Sequence, residues 1–314
     1  MNISICVTVL NEEGTIAPLL DSLLNQSEKA EQIIIVDGGS SDRTVEIIRH
    51  YQQKDNKIKL LVEKCSRSKG RNFACEIAKG DIIATIDAGC IADKYWLQNL
   101  TKPFETGRVD VSAGFYKMTG NSSLQKAESV FLGVRPRKFN YNFIPSTRSI
   151  AFTKIIWEEV GGFSEDSIGT AEDTVFNYKL IKANAKLSRV KAAIVEWGMP
   201  TSLSAFFWKI YAYAKGDAKS KIWIFPGKGL MSHNIKALFV LFRYLIGLVI
   251  VLFSIKYHIL LPVLIILFLI YSLWAFRKVF LEFGDYQISL WGPALQISSD
   301  LAIIAGFLLG IFYK

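Results

Sequence analysis

Short apolar runs alternate with amphipathic segments over the first 90 or so residues. Helical patterns begin at about Thr15 and at about Asp42, and a third covers RSKGRNFACEIA. The runs between them are typical of strands: ISICVTV, QIIIVD, KIKLLVE and DIIATID. This alternation predicts an α/β fold with parallel strands and crossover helices, whose ligands bind at the carboxyl ends of the strands.

The pattern becomes less regular after Lys94. It predicts a helix near YWLQNLTKPF, strands at VDVSAGFYKM and SIAFT, a basic loop GVRPRKFNYNFIPSTR between them, and a helix from about Thr170. We expect these elements to complete a mixed sheet with flanking helices. Residues 1–200 are therefore predicted to form one α/β domain.

Long apolar segments dominate the last third of the chain. They cover about residues 235–255, 258–276 and 290–312, each close to the ~20 residues that cross a bilayer as a helix. Residues 235–314 are therefore predicted to contain three transmembrane helices. In residues 201–234, aromatic side chains such as Trp208 and Tyr211 alternate with lysines, which favours an amphipathic helix in the headgroup layer. The alternative is a soluble helix packed on the core.

The net charge is +9, and lysines are concentrated just before the first apolar segment. Because positive charge accumulates on the cytoplasmic side of membrane proteins, we expect a multi-pass protein of the cell membrane whose first 200 residues are cytoplasmic. Positive charge beside apolar helices favours anionic lipid over nucleic acid as the partner. The N-terminus lacks a basic leader, so no cleaved signal is expected. The four cysteines show no metal-binding or redox spacing, and reduced thiols are expected.

Carboxylates lie where the predicted strands end. Asp37 follows QIIIV and precedes two glycines, which let a ligand approach the backbone, and Asp87 follows DIIATI. Asp42 and Thr44 are better explained as caps of the next helix than as ligand contacts.

Four segments resemble, in order and spacing, the family 2 glycosyltransferases: VTVLNEEGTIAPLLDSLLNQ, IIIVDGGSSDRTVEII, SRSKGRNFACEIAKGDIIATIDAGC, and VGGFSED followed by GTAEDTVFNYKL. The resemblance covers most of residues 1–200. It implies a GT-A fold and inverting transfer of a sugar from a nucleotide diphosphate donor, expected to be UDP-linked.

By that resemblance, several residues are expected to bind the nucleotide. They are Thr8, Leu10, Glu12 and Asp37 around the nucleoside, and Arg71 near the phosphates. The alternative for Arg71 is a surface charge on a helix. Asp87 resembles the first aspartate of the DxD element, which implies contact with the ribose and with Mg²⁺ or Mn²⁺. Gly89 stands where the second aspartate is expected, so the cation would have one protein carboxylate fewer.

Asp173 matches the catalytic base of the family, and Glu172 lies beside it in sequence. Inversion needs such a base to take the proton of the acceptor hydroxyl. Two neighbouring carboxylates repel each other, which raises one pKa towards a useful value. The alternative is that both acids only favour the first turn of a helix.

The acceptor is expected to be lipid-linked, through a polyprenyl group. The chain lacks the QxxRW element of processive synthases, and its layout is similar to succinoglycan-type exopolysaccharide glycosyltransferases, which implies polysaccharide biosynthesis. Four basic residues of one loop are expected to bind the acceptor phosphate: Arg135, Arg137, Lys138 and Arg148. The alternative is a solvated basic loop. A processive synthase, a synthase acting on polyprenyl phosphate and a catalytically silent scaffold are the rival functions.

Two charged residues lie inside the apolar segments. Arg243 and Asp300 are each roughly 12–14 Å into their helices, given a rise of 1.5 Å per residue. We predict that they pair, which would offset the cost of each charge in hydrocarbon. Gly306 and Gly310 in GFLLG would permit close helix contact.

Overall fold

The computed structural model describes residues 1–165, 169–226 and 231–312. Asp166 of the VGGFSED segment and residues 227–230 lie outside the described residues. The chain divides into two compact units. The first unit contains Met1–Met118 and Pro136–Gly198, and the second contains Thr119–Arg135 and the chain from Met199 onward.

The strands and helices alternate along the first part of the chain, and helices follow. The strands are β1 Ile3–Val9, β2 Gln32–Asp37, β3 Ile58–Val62, β4 Ile82–Thr85, β5 Cys90–Ala92, β6 Val111–Thr119, β7 Ile150–Thr153 and β8 Leu187–Gly198. The helices are α1 Ile16–Leu24, α2 Thr44–Lys54, α3 Arg67–Ile77, α4 Trp96–Thr101, α5 Ser123–Leu132, α6 Lys154–Glu159, α7 Glu172–Lys182, α8 Leu203–Ser220, α9 His233–Lys256, α10 Leu260–Phe283, α11 Tyr286–Ser289 and α12 Trp291–Ile311. Short 3₁₀ turns cover Lys102–Thr106 and Pro136–Lys138.

Among the described residues, eight strands form one mixed sheet in the order β3-β2-β1-β4-β7-β6-β8-β5. The first four strands are parallel, and β4 pairs antiparallel with β7. This arrangement confirms the predicted mixed sheet with flanking helices of the GT-A fold. The strand β2 (QIIIVD) is buried along its whole length, as expected for a parallel strand covered on both faces.

Aromatic side chains fill the core between the sheet and α7. The Phe163 and Phe176 rings stack with centroids 4.2 Å apart, and Phe152 meets Phe176 at 5.3 Å. All three are buried, and such ring pairs add to the free energy gained from apolar burial. This packing fixes the first turn of α7, which carries two acidic residues of the site.

The second unit is helical. The helix α8 packs along α12, and α5 contacts α8, α10, α11 and α12. A Cβ atom at Gly306 would lie 2.4 Å from the Tyr211 carbonyl oxygen, and one at Gly310 would lie 2.6 Å from the Ala218 Cβ. These two glycines therefore allow the backbones of α8 and α12 to approach closely, as the sequence predicted.

Three helices of the described chain are long and apolar enough to cross a membrane: His233–Lys256, Leu260–Phe283 and Tyr286–Ile311, the last comprising α11 and α12. The predicted ion pair between the first and third of them is confirmed. Arg243 Nη2 lies 2.7 Å from Asp300 Oδ2, and Asp300 is buried. Asp300 also accepts hydrogen bonds from Gln296 and from the Tyr244 and Tyr271 hydroxyls.

Candidate active site

The carboxyl ends of β1, β2 and β4 lie at one edge of the sheet. Val9 is in register with Asp37, and the Ile86 amide donates to the Cys6 carbonyl oxygen. Thr8, Leu10, Asp37 and Asp87 therefore share this edge. Thr8 is half-buried, whereas Leu10 is 55% exposed. Neighbouring parallel strands thus bring together four of the residues that the sequence predicted to bind a nucleotide.

The loop after β1 is held by the loop after β2. The Asn11 amide donates to Ser40 Oγ at 2.8 Å, the Ser41 amide donates to Asn11 Oδ1 at 2.8 Å, and the Glu12 amide donates to Thr44 Oγ1 at 2.8 Å. Asn11 has a φ of +55°, in the left-handed region that asparagine tolerates. These contacts fix the direction in which the Glu12 side chain leaves the backbone.

Asp37 and Asp42 shape the β2–α2 loop. The buried Asp37 carboxylate accepts hydrogen bonds from the Gly39 and Ser40 amides at 3.0 and 2.9 Å. The Ser40 hydroxyl donates to its second oxygen at 2.5 Å. Asp42 accepts from the Thr44 amide at 3.0 Å and so contacts the first residue of α2, but it lies one residue before the N-cap, Arg43, instead of at the predicted cap position.

Arg71 lies between two acidic residues that are far apart in sequence. It leaves α3 with its side chain 4% exposed, and it contacts Asp87 Oδ1 at 2.7 Å and Glu172 Oε1 at 2.6 Å. The more exposed Arg67 reaches the same Glu172 oxygen at 3.3 Å. Burial acts to raise the pKa of Asp87, but the positive charges of Arg71, Arg148 and Arg67 outweigh it and hold this pKa below its ordinary value. Asp87 is therefore ionised at neutral pH.

Asp173 differs from Asp87 because its surroundings raise its pKa, whereas those of Asp87 lower it. Burial, followed by the neighbouring Glu172 carboxylate, raises the pKa of Asp173 to about 6, although Arg148 and Arg71 act in the opposite direction. The Thr174 amide donates to Asp173 Oδ1 at 2.8 Å. At neutral pH the carboxylate is ionised and more basic than an ordinary aspartate, which suits a general base.

Arg148 lies in the electrostatic field of both Asp87 and Asp173. Its guanidinium carbon is 3.9 Å from the centre of the Trp197 ring, and its Nη1 donates to Ser146 Oγ at 2.8 Å. Stacking on an aromatic face orients the plane of an arginine guanidinium. Arg148 is thus a fixed positive charge beside the acidic residues.

The other three basic residues predicted to bind the acceptor phosphate have different surroundings. Arg135 belongs to the second unit, where its Nη1 lies 3.2 Å from Glu282 Oε2. Arg137 and Lys138 are exposed in the Pro136–Lys138 turn.

The site offers one strand-end carboxylate and an open position beside it for a divalent cation. Within the described ranges, no three His, Cys, Asp or Glu side chains form a ready metal-binding group. Arg71 contacts Oδ1 of Asp87, whereas Oδ2 accepts from the Thr147 hydroxyl at 3.4 Å. Gly89 has a φ of +79°, and the nearest heavy atom to a Cβ placed there is Glu12 Oε2 at 3.9 Å. A hard cation that also binds substrate phosphates fits this set, because Mg²⁺ in such sites takes only one or two protein carboxylates.

Three residues of the site had no part in the sequence prediction. Arg67 contacts Glu172, Thr147 contacts Asp87, and Trp197 lies under Arg148. The two basic residues of SRSKG, at the start of α3, gave a signal for Arg67. Thr147 and Trp197 lack a local signal, because their partners are distant in sequence.

The model of the family described as "Glycosyl transferase family 2" matches residues 4–160. The chain is 27% identical over 249 residues to the dolichyl N-acetyl-alpha-D-glucosaminyl phosphate 3-beta-D-2,3-diacetamido-2,3-dideoxy-beta-D-glucuronosyltransferase of Methanococcus voltae, covering 71% of this chain and 77% of that protein. It is 32% identical over 121 residues to the uncharacterized glycosyltransferase EpsJ of Bacillus subtilis, covering 38% of this chain. That alignment spans only 35% of EpsJ, so the chain covers about a third of this relative's length.

Two solved structures share the fold. S. aureus TarS 1–349 in complex with UDP superposes with a TM-score of 0.53 at 21% identity, over 71% of this chain and 67% of that one. The mannosyltransferase PcManGT from Pyrobaculum calidifontis, in complex with GDP-Man and Mn²⁺, superposes with a TM-score of 0.61 at 16% identity. The latter match covers 100% of this chain and 88% of that one.

Proposed function

Because the chain belongs to glycosyl transferase family 2, we propose that it transfers a sugar to a lipid-linked acceptor at a membrane. The donor in this proposal is a nucleotide diphosphate sugar whose nucleotide is UDP. The observation that carries the proposal is the pairing of two unlike acids: Asp87 with a lowered pKa and Asp173 with a pKa raised to about 6, joined through Arg71 and Glu172. Two acidic groups held in different protonation ranges suit a donor-side ligand and a base.

In the proposed reaction, the Asp173 carboxylate takes the proton of the acceptor hydroxyl. The hydroxyl oxygen forms a bond to the anomeric carbon while the bond from that carbon to the diphosphate oxygen breaks, so the configuration inverts. Glu172 holds Arg71 and contributes the negative charge that keeps Asp173 basic.

The donor occupies the strand-end edge in this proposal. Thr8, Leu10, Glu12 and Asp37 surround the nucleoside, Arg71 lies near the phosphates, and Asp87 contacts the ribose. Asp87 would hold a Mg²⁺ or Mn²⁺ ion, which would supply positive charge to offset the negative charge that develops on the departing diphosphate. Arg148 supplies a fixed positive charge for a phosphate, and we keep Arg135, Arg137 and Lys138 as weaker acceptor contacts.

A lipid-linked acceptor is supported by the helices of the second unit. Three of them are long and apolar enough to cross a membrane. The Methanococcus voltae relative, aligned over 71% of this chain, has a dolichyl-linked substrate in its name. We propose that residues 1–200 form the cytoplasmic catalytic part, residues 201–234 an interfacial segment, and residues 235–314 three spans in the cell membrane, in a pathway of polysaccharide or glycan synthesis.

The test uses the full-length protein in nanodiscs. A panel of UDP- and GDP-sugars is offered with a polyprenyl-diphosphate-linked sugar or with the same sugar free in solution. We expect wild type to prefer the lipid-linked acceptor, and Asp173→Asn to lower transfer by about 10²- to 10⁴-fold while retaining nucleotide affinity.

Asp81→Asn is the matched control, because Asp81 is exposed at the opposite end of the Asp87 strand. It should transfer like wild type. Transfer by Asp173→Asn at the wild-type rate would remove the base assignment. Equal use of both acceptors would remove the lipid-linked acceptor, and formation of long products would indicate a processive synthase.

A further inference from the structure

The position after Asp87 and Ala88 is open on the side that faces β1. Gly89 adopts a φ of +79°, in the region that favours glycine. The nearest heavy atom to a Cβ at this position is Glu12 Oε2, at 3.9 Å. The Glu12 carboxylate therefore lies next to the space that the side chain of a second DxD aspartate would enter at position 89.

Hydrogen bonds to both its backbone and its side chain hold Glu12 in place near Gly89. Its amide donates to Thr44 Oγ1 at 2.8 Å, and the Thr15 hydroxyl donates to its carboxylate. Its strand, β1, pairs directly with β4, the strand that leads to Asp87. Because both carboxylates follow adjacent parallel strands, they emerge at the same edge of the sheet.

We propose that Glu12 provides the second protein carboxylate for the divalent cation, in place of the aspartate that Gly89 replaces. This inference rests on the proposed function, since the cation binds together with the donor diphosphate. Asp87 contributes Oδ2, because Arg71 holds Oδ1 at 2.7 Å. Two carboxylates, phosphate oxygens and water make an all-oxygen set that Mg²⁺ and Mn²⁺ accept.

The neighbouring glutamate offers a matched comparison. Glu13 is exposed, and its carboxylate accepts from the Arg43 amide at 3.1 Å, which directs it to the β2–α2 loop. Glu12→Gln and Glu13→Gln remove the same charge from adjacent residues with almost no change of shape. General weakening of the acidic field would therefore affect both variants alike, whereas loss of a ligand would affect only the first.

The experiment measures Mn²⁺ binding by electron paramagnetic resonance, in the full-length protein, at saturating UDP, or at saturating GDP if the donor panel selects guanosine. We expect Glu12→Gln to weaken Mn²⁺ affinity by about tenfold or more and Glu13→Gln to change it less than about twofold. Glu12→Asp, which keeps the charge but withdraws the carboxylate, should fall between them. Thermal melting without ligand should match wild type for all three variants, and Mn²⁺ affinity is compared at a nucleotide concentration that saturates each variant.

The outcomes separate the inference from the function on which it rests. If wild type binds the nucleotide and Mn²⁺, and Glu12→Gln binds Mn²⁺ equally well, the assignment of Glu12 is wrong while the proposed function stands. If wild type binds no nucleotide diphosphate, the proposed function itself is wrong. If Glu12→Gln is unstable, the intermediate Mn²⁺ affinity expected of Glu12→Asp decides the question.

Discussion

Asp173 receives opposing electrostatic influences from residues that lie far apart in sequence. Burial and, after it, the Glu172 carboxylate favour its protonated form, whereas Arg148 and Arg71 favour the carboxylate. A base that is ionised at pH 7 and still accepts a proton readily needs this balance. The sugar transfer should therefore respond to pH through this one group, and single substitutions should move the response in opposite directions.

The first prediction concerns the acidic limb of the pH profile of kcat/KM, where the rate falls as the pH is lowered. Because the base works ionised and its pKa is raised to about 6, the rate should be about tenfold lower at pH 5 than at pH 7. Glu172→Gln removes a negative neighbour, so the limb should move to lower pH. Arg148→Met removes a positive neighbour while keeping an apolar contact with Trp197, so the limb should move to higher pH.

Steady-state rates between pH 4.5 and 8.5 check this prediction, with Asp81→Asn as the control whose limb stays in place. Movement of the limb in the same direction in both variants would contradict the electrostatic account. A limb near pH 4 in wild type would contradict the raised pKa of the base.

The sequence could predict single residues of the site better than their partners. Strand ends pointed to Asp37 and Asp87, and the resemblance to family 2 glycosyltransferases pointed to Asp173. The contact between Arg71 and Glu172 joins residues 101 positions apart, and no local pattern encodes such a distance. Arg71 was expected at the phosphates, and the structure places its guanidinium between two carboxylates.

At the scale of secondary-structure elements, local sequence patterns were again easier to interpret than contacts between distant residues. Apolar alternation predicted β1 to β4, β6 and β7 and most of the helices that follow them. The helix α5 was missed, although Ser122 and Gln125 form a capping box that gives a local signal for its start. The strand β8 was missed because its first six residues, which include Arg189 and Lys191, are not buried, and only three of its later side chains are, so its pattern is weak. Its place in the sheet depends on neighbouring strands.

The second prediction concerns the contact between α9 and α12. Arg243 pairs with the buried Asp300, so Arg243→Met leaves the Asp300 carboxylate buried without its ionic partner and should lower the free energy of unfolding by about 3–5 kcal/mol. The double variant Arg243→Met with Asp300→Ala should be more stable than the sum of the single changes allows. Steric-trapping measurements in bicelles check both values.

Arg277→Met is the control for this cycle, because Arg277 is an exposed arginine of the neighbouring α10. It should change the stability by less than about 0.5 kcal/mol. Additive effects of the two single substitutions would contradict the coupling and would leave the ion pair without a measurable role in stability.

At the scale of the whole molecule, the two compact units do not correspond to two continuous stretches of the chain. Hydropathy alone located the three apolar helices to within a few residues, except at the far end of α10. It gave no sign that Thr119–Arg135, which lies between two segments of the first unit, belongs to the second. That membership depends on α5, whose Ala127 and Val130 are buried with Phe206, Ile210 and Leu295.

The third prediction follows from this division. A chain cut after Pro200 keeps every residue of the first unit but leaves the apolar face of α5 without its partners. The Phe131 ring, for example, lies 3.7 Å from Lys278 Nζ and 6.0 Å from the Phe206 ring, and both residues are lost. We expect this shortened chain to aggregate or to require detergent, because an exposed apolar helix face promotes association.

Size-exclusion chromatography with light scattering, in detergent-free buffer, checks this third prediction. The control is the same shortened chain carrying Leu124→Gln, Val130→Thr and Phe131→Gln, which makes the exposed face polar while retaining the Ser122 capping box. This control should elute as a monomer and bind the selected nucleotide. A monomeric, unmodified 1–200 chain would mean that the packing of α5 in the second unit is dispensable for the solubility of the first. Aggregation of both chains would contradict the attribution to the α5 face and place the cause in the first unit itself.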